Sequence, residues 1–466
     1  MSPDPAEARQ APAGRKTAET PGTPRRLSPA RPLDVDALLD DPQTRIVVCC
    51  GSGGVGKTTT AAALGLRAAE RGRKVVVLTI DPARRLAQSM GIDSLDNVPR
   101  RVKGVEDQGA RGGSAADGGG RRTGGELHAM MLDMKRTFDE VVEAHADPER
   151  AAAILSNPFY QSLSAGFAGT QEYMAMEKLG QLRARDEWDL IVVDTPPSRS
   201  ALDFLDAPKR LGSFLDGRLI RLLTAPAKLG GRAGMKFLNV GMSMMTGTLG
   251  KLLGGQLLKD VQTFVAAMDT TFGGFRTRAD ATYKLLQAPG TAFLVVAAPE
   301  RDALREAAYF VERLAAEKMP LVGLVLNRVH GSGAGRLSAE RALAAAENLE
   351  DPRIVDQGDG KVGLRNSPDT YGSSQPPASE AAAEATEEGS PADAERSVDR
   401  LTAGLLRLHA ERMHLLAREQ RTRDRFTARH PEVAVVEVPA LPGDVHDLAG
   451  LRDIGNLLAA GRPEPA

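Results

Sequence analysis

The chain has 466 residues, 42% of them hydrophobic and 26% charged, the balance of a soluble globular protein rather than of a disordered or membrane-embedded one. Sixty Lys and Arg oppose 61 Asp and Glu, so the formal net charge is −1, which excludes a global basic field for nucleic acid or a membrane surface. The two cysteines, Cys49 and Cys50, are adjacent, which excludes a disulfide framework or a cysteine-built metal centre within one chain.

In chain order, residues 1–32 hold seven prolines and little to bury, so a disordered arm is expected, with its outer limit at residue 40. No apolar leader and no run of about 18–20 apolar residues is visible, so a cytoplasmic protein without stable membrane insertion is expected. Short apolar runs then alternate with helix-like stretches. The strands expected are Ile46–Cys50, Val75–Ile80, Leu190–Val193, Ala292–Ala298, Val322–Leu326 and Val433–Val438. The helices include Thr59–Arg71, Asp302–Glu317 and Val398–Phe426, the last with Val398, Leu401, Leu405, Leu408, Leu415 and Leu416 on one face. Nine glycines in 104–125 indicate a surface loop. Residues 351–395 indicate a disordered insertion, acidic in 369–395, where seven carboxylates meet no basic residue. Residues 126–180 and 205–288 are expected to form a helical subdomain. Continuous rather than alternating apolar runs fit strands buried on both faces. The fold class expected is therefore α/β, a doubly wound, mostly parallel sheet spanning 41–459, with a helical insertion.

Directly after the first strand comes Gly51-Ser52-Gly53-Gly54-Val55-Gly56-Lys57-Thr58, the G-x-x-x-x-G-K-[ST] pattern in its strand–loop–helix setting. Glycines let backbone N–H groups curl around a polyphosphate, with Gly53, Gly54, Val55, Gly56, Lys57, Thr58 and Thr59 forming the cradle. Lys57 can reach the β- and γ-phosphates, the Thr58 hydroxyl can ligate Mg²⁺, and the following helix offers its positive end. ATP and Mg²⁺ are the cofactors expected. Two carboxylates, Asp81 and Asp194, end neighbouring strands beside this loop. There a carboxylate can orient an attacking water or serve the Mg²⁺ shell. A lone aspartate at such a turn is commonly only a helix N-cap, but two beside a phosphate loop make that the lesser reading.

The strings Gly53-Gly54-Val55-Gly56-Lys57-Thr58-Thr59, Asp81-Pro82-Ala83 and Asp194-Thr195-Pro196-Pro197 resemble the ArsA/Get family. These are deviant-Walker P-loop ATPases that drive arsenical pumps or target tail-anchored proteins. Ala201-Leu202-Asp203-Phe204-Leu205-Asp206-Ala207-Pro208 is similar to its actinobacterial branch. The resemblance implies a nucleotide-gated dimer. It implies that Asp81 is the catalytic residue positioning the attacking water, and that Asp194 serves the Mg²⁺ shell with Thr58. It further implies that Asn327 reads adenine and that Pro439 and Ala440 line the base.

The sequence also departs from that family. Its loop normally carries a second lysine that reaches across the dimer, and Ser52 stands there instead. Arg84, Arg85 or Arg199 could compensate within a homodimer. Otherwise the chain would form a heterodimer with a paralogue carrying that lysine. Adjacent strand residues point to opposite faces, so Cys49 and Cys50 cannot converge on arsenite, and a Cys-x-x-Cys zinc clamp is absent. Ten of the 14 methionines lie between Met130 and Met268. They fit either a groove for a hydrophobic client or a plain helical core. Three functions follow: an ATP-hydrolysing switch of the ArsA/Get class, a MinD/ParA-like positioning ATPase, or a regulatory nucleotide-binding subunit. The tail Leu448–Ala460 lacks the basic excess of a membrane-targeting helix, which weighs against the second.

Overall fold

Parallel pairing around a central strand organises the chain. The computed structural model describes residues 31–80, 85–92, 95–105, 125–164, 170–196, 277–350 and 391–460. The strands are β1 (Ile46–Cys50), β2 (Lys74–Thr79), β3 (Arg100–Arg101), β4 (Glu126–Met131), β5 (Leu190–Asp194), β6 (Thr291–Ala297), β7 (Leu321–Val329) and β8 (Ala434–Pro439). They form one sheet in the order β3-β4-β2-β5-β1-β6-β7-β8. Every pairing is parallel except β3 with β4. β1, β5 and β6 are buried at every position, as their unbroken apolar sequences require. Alternate residues feed two cores: Ile46, Val48 and Cys50 face one, Val47 and Cys49 the other.

Helices cover both faces. Before the sheet's first turn come α1 (Val35–Asp40) and, after the loop, α2 (Lys57–Glu70). The small residues of α2 let it lie close to the sheet: a Cβ on Gly65 would come within 2.5 Å of Val77 Cγ2. α3 (Arg85–Ser89), α4 (Met134–His145), α5 (Pro148–Leu155), α6 (Pro158–Ser164), α7 (Thr170–Ala184) and the helical residues 277–287 (α8) follow. Then come α9 (Arg301–Ala316), α10 (Ala339–Glu350), α11 (Pro391–Arg429) and α12 (Leu448–Ala460). Among the described residues no helix is long and apolar enough to cross a membrane.

The observed elements correct three expectations, the first being that the acidic insertion runs to residue 395, since α11 already begins at Pro391. The arm does not extend to residue 40. Asp34 caps α1, its carboxylate accepting from Ala37 N at 2.9 Å, and Leu33, Val35 and Leu39 are buried. Arg67 clasps both carboxylate oxygens of Asp36, and Leu33 N donates to Val435 O at 3.1 Å beside the sheet edge. Nor does the helical subdomain begin at residue 126. Glu126–Met131 is strand β4, in register with β2 from Lys74↔Glu126 to Thr79↔Met131. Gly125 admits it, since a Cβ there would lie 2.1 Å from Ala69 O. Helix begins only at Met134.

Met130 on β4 and Met174 and Met176 on α7 are buried core residues, while Met235, Met242, Met244, Met245 and Met268 fall outside the described residues. So do 1–30, most of the Gly-rich loop, 205–276 of the insertion and 351–390.

Leu39 is fully buried, so Leu39→Ala should destabilise the protein by about 2–5 kcal/mol, the usual cost of emptying a leucine site. A chemical-denaturation midpoint unchanged by the substitution would return α1 to the arm.

Candidate nucleotide site

The site begins where β1 runs out. Gly51 approaches β6 so closely that a Cβ would lie 2.1 Å from Val296 O, and its φ is 151°. Gly54 and Gly56 have φ values of 76° and 92°, left-handed conformations that an L side chain resists. Gly56 is the N-cap of α2, so the loop feeds straight into the positive end of a 14-residue helix.

Lys57 is the first residue of that helix and is only 6% exposed. Its Nζ donates to Ser52 O at 2.8 Å, so the ammonium lies across the loop's span. Ser52 is itself buried, and its hydroxyl oxygen has no hydrogen-bond partner among the described residues. Thr59 is half-buried on the first turn of α2.

β5 brings Asp194 to the loop because β1 pairs Cys49 with Asp194 in register. Asp194 is fully buried, and its Oδ2 accepts from Thr58 Oγ1 at 2.7 Å and from Thr79 Oγ1 at 2.9 Å. Thr195 Oγ1 donates to Cys49 O at 2.9 Å, tying the residue after β5 back to β1. One hydroxyl and one carboxylate, side by side in a water-poor pocket, form the all-oxygen donor set that a hard divalent cation prefers.

The far wall comes from β7. Asn327 Nδ2 donates to Val55 O at 2.9 Å, and Arg328 Nη1 donates to Gly54 O at 3.1 Å. Arg328 has φ 62°, and the β7–β8 register shifts there, between Asn327 and Val329. Ala440 N donates to Val329 O at 2.9 Å, and Pro439 pairs with Val329, so the end of β8 adjoins Asn327.

Gly53 to Thr59, Asp194 and Asn327 therefore converge, with Pro439 and Ala440 beside them. Asp81, Arg84 and Arg199 lie outside the described residues, as does the side chain of Arg85. Sequence reasoning missed Thr79 and Arg328. Each sits next to a residue it did select, or one removed from it: Thr79 two places before Asp81, Arg328 directly after Asn327.

The two thiols are inert by construction. Burial raises Cys49 well above the usual thiol range, and the nearby Asp194 charge raises it further. Burial pushes Cys50 up to about 12. A raised thiol stays protonated at neutral pH, so it is neither a nucleophile nor a soft-metal ligand. An alkylating reagent at about pH 8 should label neither cysteine in the folded protein and both after denaturation. Rapid labelling of the native chain would contradict this burial.

Residues 44–335 match the anion-transporting ATPase family. Relatives named ATPase GET3 include one from Podospora anserina, 24% identical over 315 residues, which are 66% of this chain and 81% of that protein. Another, from Ajellomyces dermatitidis, is 25% identical over 295 residues, 63% of this chain and 75% of the relative. A third, from Malassezia globosa, is 27% identical over 186 residues, 40% of this chain, and the chain spans about half (49%) of its length. The family match takes in most of the sheet, the whole phosphate loop, Asp194 and the Asn327 clamp, so this chain belongs to the anion-transporting ATPase family and is an ATPase.

Proposed function

We propose that the protein is a Mg²⁺-dependent, ATP-hydrolysing dimeric switch of the cytoplasm that handles a hydrophobic or membrane-protein client. The observation that carries the nucleotide part is Lys57, a buried ammonium held across a glycine cradle by Ser52 O at 2.8 Å. An ammonium set among glycine N–H groups at the positive end of a helix is the arrangement that receives a polyphosphate.

In this reading backbone N–H groups of 53–59 and the Lys57 ammonium bind the polyphosphate. Thr58 and Asp194 hold Mg²⁺, which neutralises charge on the phosphates when bound. Thr79 keeps the Asp194 carboxylate oriented through its 2.9 Å bond. Asp81 orients the attacking water. Asn327, Pro439 and Ala440 hold the base, Asn327 through its side-chain oxygen, since its Nδ2 is engaged by Val55 O.

The client part draws on the ArsA/Get resemblance and on the helical layer. A cavity of about 710 Å³ opens among α4, α7 and α8, lined by Ala144, Gly180 and Leu285 together with Glu140, Glu177 and Arg278.

Lys57→Ala should abolish Mg·ATP binding, and Asp81→Asn should keep binding while losing most turnover. Calorimetry and a phosphate-release assay read the two effects. Wild-type affinity in the first variant would sink the assignment, and wild-type turnover in the second would move water orientation toward Asp194.

Ser52 bears on the dimer. A buried serine hydroxyl cannot place a cation on a partner's phosphates, so a homodimer would lack that charge at both sites. The better pairing is with a paralogue carrying Lys at this position. Mixing the two chains should raise turnover at least tenfold over this chain alone, the scale of a lost electrostatic contact. The gain should vanish when the partner's lysine is replaced by Ala. Fast hydrolysis by the single chain would instead favour a homodimer completed by Arg84, Arg85 or Arg199.

A further inference from the structure

The phosphate loop is gripped from behind, and the grip is itself anchored. Asn327 Nδ2 and Arg328 Nη1 take the carbonyls of Val55 and Gly54, at 2.9 and 3.1 Å. In a trans peptide the carbonyl and the next residue's N–H point to opposite sides. Pulling those two carbonyls toward β7 therefore turns the N–H groups of Gly56 and Val55 away from β7, toward the mouth of the cradle. Arg328 performs this at φ 62°, a conformation that strains a non-glycine residue and persists only where neighbours fix it.

Those neighbours come from α11. Glu419, only 10% exposed at its side chain, accepts twice from His330. Its Oε2 takes the backbone N–H at 3.2 Å, and its Oε1 lies 2.6 Å from Nδ1. Arg412 Nε donates to Gly331 O at 2.7 Å, and His409 Nε2 donates to Leu337 O at 2.8 Å. Spacings of three and seven put His409, Arg412 and Glu419 on one side of the helix. Arg407 pairs with Glu350 at the end of α10, tying α10 and α11 into a helical hairpin. The grip on residues 330–337 sits two positions beyond the strained Arg328, and a bond to a buried carboxylate is the strongest kind available to it.

We propose that α11 is a strut that sets the phosphate loop, and that Glu419 is its positioning residue, acting on bound nucleotide through His330 and Arg328. The proposal rests on the reading that the loop binds ATP, and takes it further by adding a control element more than 350 residues away in the chain. It makes the α10–α11 hairpin part of the site without touching the ligand.

The test is a double-variant cycle on the full chain, with Mg·ADP affinity read by calorimetry and folding checked by circular dichroism. Glu419→Gln keeps the size and one acceptor oxygen but loses the charge, and should weaken binding roughly tenfold, the scale of one charge-assisted hydrogen bond. Arg328→Ala should weaken it comparably. Adding Glu419→Gln to Arg328→Ala should then change affinity by less than about twofold, because one path serves both. A purely structural contact would leave affinity alone, or its effect would multiply with that of Arg328→Ala, and either result overturns the strut. If Glu419→Gln does not fold, Arg412→Gln carries the same expectation through Gly331. Lys57→Ala separates the two levels. Loss of binding there with full affinity in Glu419→Gln overturns the strut alone, whereas full affinity in Lys57→Ala overturns the nucleotide reading and the strut with it.

Discussion

One carboxylate oxygen joins the three pieces that must stay in register at this site. Asp194 Oδ2 accepts from Thr58 on the helix after the loop and from Thr79 at the end of β2. It can do so because parallel β5 lies between β1 and β2 and carries Asp194 beside Cys49 and Thr79 alike. The charge is fully buried, and removing either hydroxyl leaves it less solvated in a medium that screens little. The sheet order is thus a condition of the chemistry. With β2 directly against β1, no carboxylate from a third strand would reach Thr58. The same order makes β1 the point where connections diverge, to β2 on one side and β6 on the other, which is where open α/β sheets bind ligands.

The central strands were legible because burial on both faces leaves unbroken runs of Val, Ile and Leu, and β1 falls on the residues expected. β4 was not. Its sequence Glu-Leu-His-Ala-Met-Met mixes polar residues with helix formers and follows a glycine-rich loop that hides its link to β2. Tertiary pairing with Lys74–Thr79 overrides that local preference. α1 was missed for the opposite reason. Six residues give too little periodicity to stand out from a proline-rich arm, although the Asp34 cap and the Leu33, Val35 and Leu39 spacing carried the signal.

At the site, the glycines, Lys57 and Thr58 are local chemistry and could be read from eight residues. The wall behind them could not. Asn327 meets Val55 across 272 positions, and only the β1–β6–β7 order places them together. Sequence reasoning assigned Asn327 to the base alone. The structure adds a hold on the loop, and one amide can serve both because its nitrogen donates while its oxygen accepts. Ser52 shows the complementary gap. Its identity announced a missing charge, but only the fold reveals a hydroxyl turned inward.

α11 is longer than the sheet it braces. Its 39 residues span about 58 Å, whereas strands of five to nine residues reach only about 17–30 Å. The level is set by Glu419, which meets His330 just past the end of β7, and by Phe426, which is buried shortly before β8. The helix above Arg412 therefore overruns the carboxyl edge, the edge where the phosphate loop lies. One heptad row runs the whole way. Its lower members Arg412 and Glu419 hold the loop, while its upper members Val398, Leu401, Leu405 and Leu408 stay 59–69% exposed. The row keeps the a/d spacing of a core seam, and among the described residues its upper part stays exposed. The length that lets α11 reach the loop thus comes with apolar side chains exposed among the described residues. Its bonds to the β7–α10 loop go to backbone groups, the His330 N–H and the Gly331 and Leu337 carbonyls, as well as to the His330 ring.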